Sequence, residues 1–263
     1  MSDEYDLESG PDPATFAAAA AEPDMDEGAD DPVYAVGVGP GNQEYLTPRG
    51  ERAIREADVV VGFATVVEFV EDLTDADLLT CGYKDEAEAL EEFGERVAAG
   101  ESGTAVAMGD PNHSGYQFVG KVQDAVERRD TERPVRVIPG ISSLQMAASR
   151  ARTPMEDTEF VTLHKSGDLA ADMDRLAAAA TADERHLLVL PRPYDRMPGD
   201  IAAFLLEAGA KSDLEALVLE KLTHDDEQVH RFTLAELAEH AGGSGKEDTP
   251  FSDLVVLAVR QPV

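Results

Sequence analysis

The sequence predicts a two-domain α/β protein. An N-terminal, mostly parallel sheet with helices on both faces is followed by a mixed, partly antiparallel α/β domain. Three observations carry this. Short, largely apolar runs of strand length recur between Val33 and Ile138. Amphipathic stretches of helical length alternate with them, the grammar of βα units. After Thr153-Pro154 the rhythm changes, and closely spaced strand patterns follow with little helix between them.

The elements follow in order. Residues 1–31 carry eleven acids, no base and an alanine run, Ala17–Ala21. That composition buries too little apolar surface to offset the entropy of ordering, so the segment reads as an acidic disordered tail. Val33–Val38 is the first strand, and Thr47-Pro48 opens a helix reaching Glu56, with proline in its first turn. Asp58–Gly62 reads as a strand, Ala64–Glu71 as a helix, and Glu86–Ala99 as an amphipathic helix stopped by Gly100. Gly103–Met108 is a buried strand and Tyr116–Arg129 a helix. Val135–Ile138 is a strand, followed by a helix from Ser142 to about Arg152. The N-terminal domain is thus 32–153 and the C-terminal one 154–263. In the latter, Glu159–Leu163, His186–Leu190, Ala216–Lys221, Gln228–Phe232 and Leu254–Arg260 read as strands, and Asp200–Glu207 as a helix closed by Gly209. Gly242-Gly-Ser-Gly245 reads as an exposed loop.

Charge is the strongest compositional signal: 54 acids oppose 22 bases, for a formal net charge of −32. Such a chain repels nucleic acid and anionic membrane surfaces, because it has no basic patch to release counterions. The acids are spread along the chain, so the excess belongs to the folded surface. At roughly molar salt the Debye length falls to about 3 Å and self-repulsion becomes tolerable. The expected setting is therefore a salt-rich cytoplasm of the haloarchaeal kind. A single cysteine, Cys81, excludes an internal disulfide framework and fits a reducing compartment. No apolar run approaches transmembrane length.

The loop Gly37-Val-Gly-Pro-Gly41 departs from the dinucleotide fingerprint G-x-G-x-x-G. Pro40 removes an amide donor, and the helix cannot begin before Thr47-Pro48, well past the glycines. No phosphate-loop lysine follows. What remains is a stiff turn, poor in side chains, at the C-terminal end of the first strand, where open parallel sheets place ligands. Two more such turns follow later strands: Gly109-Asp-Pro-Asn-His-Ser-Gly115 and Pro139-Gly-Ile-Ser-Ser143. All three should open on one edge of the sheet and suit a small, roughly neutral ligand such as an adenosyl group. Taken singly, Asp110 reads equally as a turn cap, and Ser142 and Ser143 as N-caps of the next helix. The histidines form no metal-ligand pattern, and no nucleophile triad is present.

The motifs Gly37–Gly41 (GVGPG), Gly109-Asp-Pro111 and Val137–Gln145 (VIPGISSLQ) resemble those of the tetrapyrrole methylases. These are S-adenosylmethionine-dependent enzymes of sirohaem and cobalamin synthesis. Phe160–His164 (FVTLH) and Leu219–Glu227 (LEKLTHDDE) are similar too, so the resemblance covers about residues 33–260. It is nearest to the stand-alone members that methylate a cobalt-precorrin at C5. It implies the two-domain fold of that family, a homodimer, a tetrapyrrole substrate and S-adenosylmethionine held between the domains. It also implies a separate C15-methyltransferase/decarboxylase as a partner enzyme. Alternatives are another methylase of the same fold in the precorrin, sirohaem or diphthamide pathways, a nicotinamide-dependent oxidoreductase, or a non-catalytic scaffold. The residues implied at the cofactor are Gly39, Pro40, Gly109, Asp110, Ser114, Ser142, Ser143, Leu163, His164, Pro191 and Leu222. Asp110, His113, Tyr116 and His164 are the catalytic candidates, with the last three as candidate general bases. Lys165, Arg150 and Arg192 are candidates for binding the substrate's carboxylates. Where relatives have a small or aromatic residue after Gly-Asp-Pro, this chain reads Asn112-His113-Ser114.

Overall fold

The computed structural model describes residues 32–82, 84–129, 133–165, 167–182, 184–242 and 245–262. The acidic segment 1–31 lies outside the described residues. The chain divides into two compact units after Ser142.

In the first unit five strands form one sheet: β1 (Val33–Gly37), β2 (Val59–Phe63), β3 (Asp77–Cys81), β4 (Gly103–Ala107) and β5 (Val135–Ile138). Their order is β3-β2-β4-β1-β5, and every pairing is parallel. Four helices connect them: α1 (Pro48–Arg55), α2 (Ala64–Val70), α3 (Glu86–Ala98) and α4 (Tyr116–Glu127). Strand alternation sorts the apolar residues between two faces. Val36, Val60, Val106 and Ile138 pack with Ile54 of α1 and with Val66, Val67 and Val70 of α2. Val33, Val59, Val61 and Ala105 pack with Leu90, Phe93 and Val97 of α3 and with Phe118, Val122 and Val126 of α4. Helices therefore cover both faces, and the inner strands β1, β2 and β4 read as nearly continuous apolar runs because neither side meets water. Local chemistry sets the helix ends. The Thr47 hydroxyl accepts the Gly50 amide at 3.1 Å with Pro48 in the first turn, and Gly100 beyond α3 takes φ +104°.

The sequence reading omits β3. It is an edge strand, and its sequence, Asp-Leu-Leu-Thr-Cys, interleaves polar residues that only an edge tolerates.

The second unit opens with α5 (Ser143–Ala151) and carries a mixed sheet. Its strands are β6 (Thr158–Thr162), β7 (His186–Leu190), β8 (Glu215–Glu220), β9 (Gln228–Thr233) and β10 (Val255–Arg260). The order is β6-β7-β10-β8-β9; β6 and β7 are parallel and all other pairs antiparallel. One face packs on α6 (Ala170–Thr181), α7 (Pro198–Glu207) and α8 (Leu234–Ala238), through Leu176, Ile201, Leu205 and Leu237. Helix α5 lies against β7 and β10. That packing puts the division after Ser142, whereas the change of rhythm at Thr153-Pro154 marks only where the new sheet starts. The sequence reading also omits α6 and α8. The alanine-rich Ala170–Thr181 has little contrast between its faces, and α8 is barely more than one turn.

Candidate active site

Strands β4, β1 and β5 lie side by side and parallel, so the turns that leave them open on one edge, as the sequence predicts. The chain from β1 turns to α1 on one face, while the chain from β4 turns to α4 on the other. This divergence between neighbouring strands is a topological switch point, where open α/β sheets leave a crevice for ligands.

The turns there are joined through backbone. Gly39 and Gly109 exchange hydrogen bonds, 3.2 Å from the Gly39 amide to the Gly109 carbonyl and 2.8 Å in return. Gly39, Gly41 and Gly109 take φ of +90°, +133° and +65°, a region that side chains make costly. A Cβ on Gly37 would lie 2.6 Å from both the Gly109 carbonyl oxygen and the Gly140 nitrogen, and 2.8 Å from Pro111 Cδ. A Cβ on Gly140 would run into the Gly109 and Gly37 carbonyls. Gly37 and Gly140 thus let three turns meet, a role the sequence reading does not assign them individually. Pro40 is buried within the first turn.

Asp110 caps the turn that follows. Its carboxylate accepts the Asn112 amide at 2.8 Å and Asn112 Nδ2 at 3.0 Å, so the capping alternative describes its bonding. Residues Pro111–Gly115 form a single wide π turn, a feature frequent at functional sites, that runs straight into α4. His113 anchors its own amide on the Asp110 carbonyl at 3.0 Å. Its ring Nδ1 is shielded from solvent and has no hydrogen-bond partner among the described residues. Tyr116, the first residue of α4, is buried. The Ser114 side chain lies outside the described residues. Ser142 is buried immediately before α5, and Ser143 is the first residue of that helix.

The remaining candidates belong to the second unit. Leu163 follows β6 with its amide bonded to the Leu190 carbonyl at 2.8 Å, and Leu163, Pro191 and Leu222 are buried. Loss of solvation pushes the neighbouring His164 imidazole down to about 4, with Asp253 acting weakly in the opposite direction. It is therefore a neutral and weak base at neutral pH.

The three basic candidates all have acidic partners. Lys165 Nζ pairs with Asp172 at 2.7 Å. Arg150 grips Glu227 with two bonds, Nε to Oε1 at 2.7 Å and Nη2 to Oε2 at 3.3 Å. Arg192 is buried, bonded to Asp195 through Nε at 2.6 Å and to the Lys165 and Gly167 carbonyls at 3.4 and 3.2 Å. In a chain so rich in acids, each of the three meets a carboxylate, which residue type alone could not reveal.

The edge formed by Gly37–Gly41, Met108–Gly115 and Pro139–Ser142 contains no lysine or arginine, and Asp110 is its charged side chain. The 3₁₀ turn Gln43–Tyr45 separates the glycines from α1, so no helix N-terminus meets the loop. At this first turn a phosphate finds neither cation nor helix dipole. A ligand of neutral or positive charge suits Asp110, and the glycines of the three turns admit close approach to backbone. Cys81 is buried at the end of β3, and burial pushes its thiol up to about 12, which leaves it inert as a nucleophile. Among the described residues no three His, Cys, Asp or Glu side chains cluster to hold a metal, and no helix is long and apolar enough to cross a membrane.

A cation-free glycine edge at a switch point is where open α/β proteins take small ligands. The family model "Tetrapyrrole (Corrin/Porphyrin) Methylases" matches residues 32–238, and the chain belongs to this family. It is a methyltransferase of tetrapyrrole biosynthesis, with S-adenosylmethionine as methyl donor. It is 27% identical over 212 residues to a probable cobalt-precorrin-7 C(5)-methyltransferase of Methanocaldococcus jannaschii, covering 78% of this chain and 91% of the relative. It is 31% identical over 225 residues to a uroporphyrinogen-III C-methyltransferase of Paracoccus denitrificans, covering 78% and 74%. The fold matches a uroporphyrin-III C-methyltransferase of Thermus thermophilus solved with S-adenosylhomocysteine. There the TM-score is 0.62 at 24% identity, over 87% of this chain and 96% of that one.

Proposed function

We propose that this methyltransferase alkylates ring carbon C5 of cobalt-precorrin-7 in cobalamin biosynthesis. The observation that carries the donor side is the cation-free edge where Gly37, Gly109 and Gly140 close on one another. Similarity across 91% of the Methanocaldococcus jannaschii relative supports the choice of substrate and carbon. S-adenosylmethionine supplies an electrophilic methyl carbon on a sulfonium sulfur. The protein's task is then positioning, holding the ring carbon about 3–3.5 Å from that methyl and opposite the sulfur. Gly39, Pro40 and Gly109 shape the donor's seat, and Ser114, Ser142, Ser143, Leu163, Pro191 and Leu222 belong to the same reading.

Of the candidate bases, His113 is best suited to receive the proton lost from the alkylated ring. Its Nδ1 has no hydrogen-bond partner among the described residues, whereas His164 is too weak a base and Tyr116 is buried. The Lys165, Arg150 and Arg192 ion pairs would have to open for those residues to bind substrate carboxylates, so we assign them to support of the loops. A homodimer in a salt-rich cytoplasm, with a separate C15-methylating and decarboxylating enzyme, completes the reading.

The test is mass spectrometry of products formed from defined precorrins and a labelled methyl donor. One labelled methyl at C5 of cobalt-precorrin-7 is expected; a methyl at another carbon, or on uroporphyrinogen-III only, overturns it. The 31% identity to the Paracoccus denitrificans enzyme makes uroporphyrinogen-III the second substrate to offer.

A further inference from the structure

The turn after β8 is costly in three ways. Lys221 and Thr223 both take left-handed backbone, φ +49° and +72°, where non-glycine residues are uncommon and a β-branched one is an outlier. The Thr223 hydroxyl is shielded from solvent and has no hydrogen-bond partner among the described residues. Leu222 between them is buried. Strain of this kind persists only where the surroundings over-determine it, and it concentrates at ligand clamps.

What holds the turn is identifiable. The Lys221 amide donates to the Leu254 carbonyl at 2.8 Å, and Lys221 Nζ pairs with Asp226. Glu227 contributes as well. Its Oε2 accepts the Thr223 amide at 2.7 Å, while the same carboxylate takes the two-pronged bond from Arg150. Arg150 stands on α5, the helix that begins at Ser143 directly after the Pro139–Ser142 turn. The Arg150 guanidinium and the Thr223 amide hold the Glu227 carboxyl below the usual carboxylate range, so it carries its charge at neutral pH.

We infer that Arg150 and Glu227 form a latch: Glu227 is a positioning residue that locks the Lys221–Thr223 turn in the shape that seats the methyl donor, and Arg150 fixes Glu227 to α5. This rests on the reading above that Leu222 contacts the donor. It gives Arg150 a different task from carboxylate binding.

Calorimetric titration of the full chain with S-adenosylhomocysteine tests it, using Glu227→Gln, Arg150→Gln and the double variant. Each single variant should weaken binding about tenfold, and the double variant little more than either, because the two residues act as one unit. With labelled donor the KM should rise while kcat stays near that of the parent. Both side chains are partly exposed, and a glutamine in place of Glu227 can still accept the Thr223 amide, so folding should survive. Parental affinity in both single variants, or a fall in melting temperature with affinity intact, overturns the latch. A parent chain that does not bind S-adenosylhomocysteine overturns instead the donor reading on which the latch rests.

Discussion

Gly39 and Gly109 clasp each other across the ends of β1 and β4, each donating its amide to the other's carbonyl. The bond pair joins the two strands whose helices depart to opposite faces, so the crevice is fixed by backbone alone. The third turn enters because Gly140 has no side chain, and this gives the first prediction. Gly140→Ala should cost about 1–3 kcal/mol by overpacking, or roughly 2–10 °C in melting temperature for a chain of this size. S-adenosylhomocysteine binding should fall with it. Thermal melts and titration of the variant check both.

His164 gives a pH prediction. Its folded-state value, lowered by burial from 6.5 to about 4, lies below the unfolded one. The unfolded chain therefore binds the extra proton first as pH falls. The stability from keeping this imidazole neutral is complete above pH 6.5 and is lost between there and about pH 4. NMR titration should show the ring staying neutral down to about pH 4, and the acid slope of stability should flatten in His164→Phe. A ring that titrates near 6.5 contradicts the burial argument.

Arg192 is set against its alternative role in the same way. Its guanidinium ties the turn after β6 to the turn after β7 through the Lys165 and Gly167 carbonyls and Asp195. Arg192→Met should destabilise by about 2–4 kcal/mol, since it leaves Asp195 to Arg196, 3.4 Å away, and takes a donor from two carbonyls. Were Arg192 a substrate clamp instead, Arg192→Lys would raise the tetrapyrrole KM with no loss of stability. Denaturant melts and steady-state kinetics on both variants separate the two.

The net charge of −32 sets the salt prediction. Lowering salt from about 2 M to 0.1 M lengthens the Debye length from a few ångströms to about 10 Å. Melting temperature should drop by about 5 °C or more, equivalent to some 2 kcal/mol at this chain length. Activity should fall in parallel. Equal melting at both ends would sever the acidic surface from salt adaptation.

Much of this protein is determined by sequence alone. Apolar runs between helical patterns dictate a parallel sheet, because a strand covered on both faces has little place for polar residues. Pro40 and the late start of α1 exclude a dinucleotide grip, since both act through local backbone. Three glycine turns at strand ends are legible for the same reason, and the structure brings them together. Tertiary structure decided what depends on neighbours distant in the chain. Edge strand β3 and alanine-rich α6 carry weak local patterns and exist through what they pack against. Arg150, Lys165 and Arg192 look alike in sequence as cations in or beside loops, yet each is committed to a carboxylate whose approach only the fold decides. Glu227, inconspicuous in an acidic run, gains its role from two residues it meets in space: Arg150 and Thr223. Local backbone chemistry is written in local sequence; the partner of a charge is not.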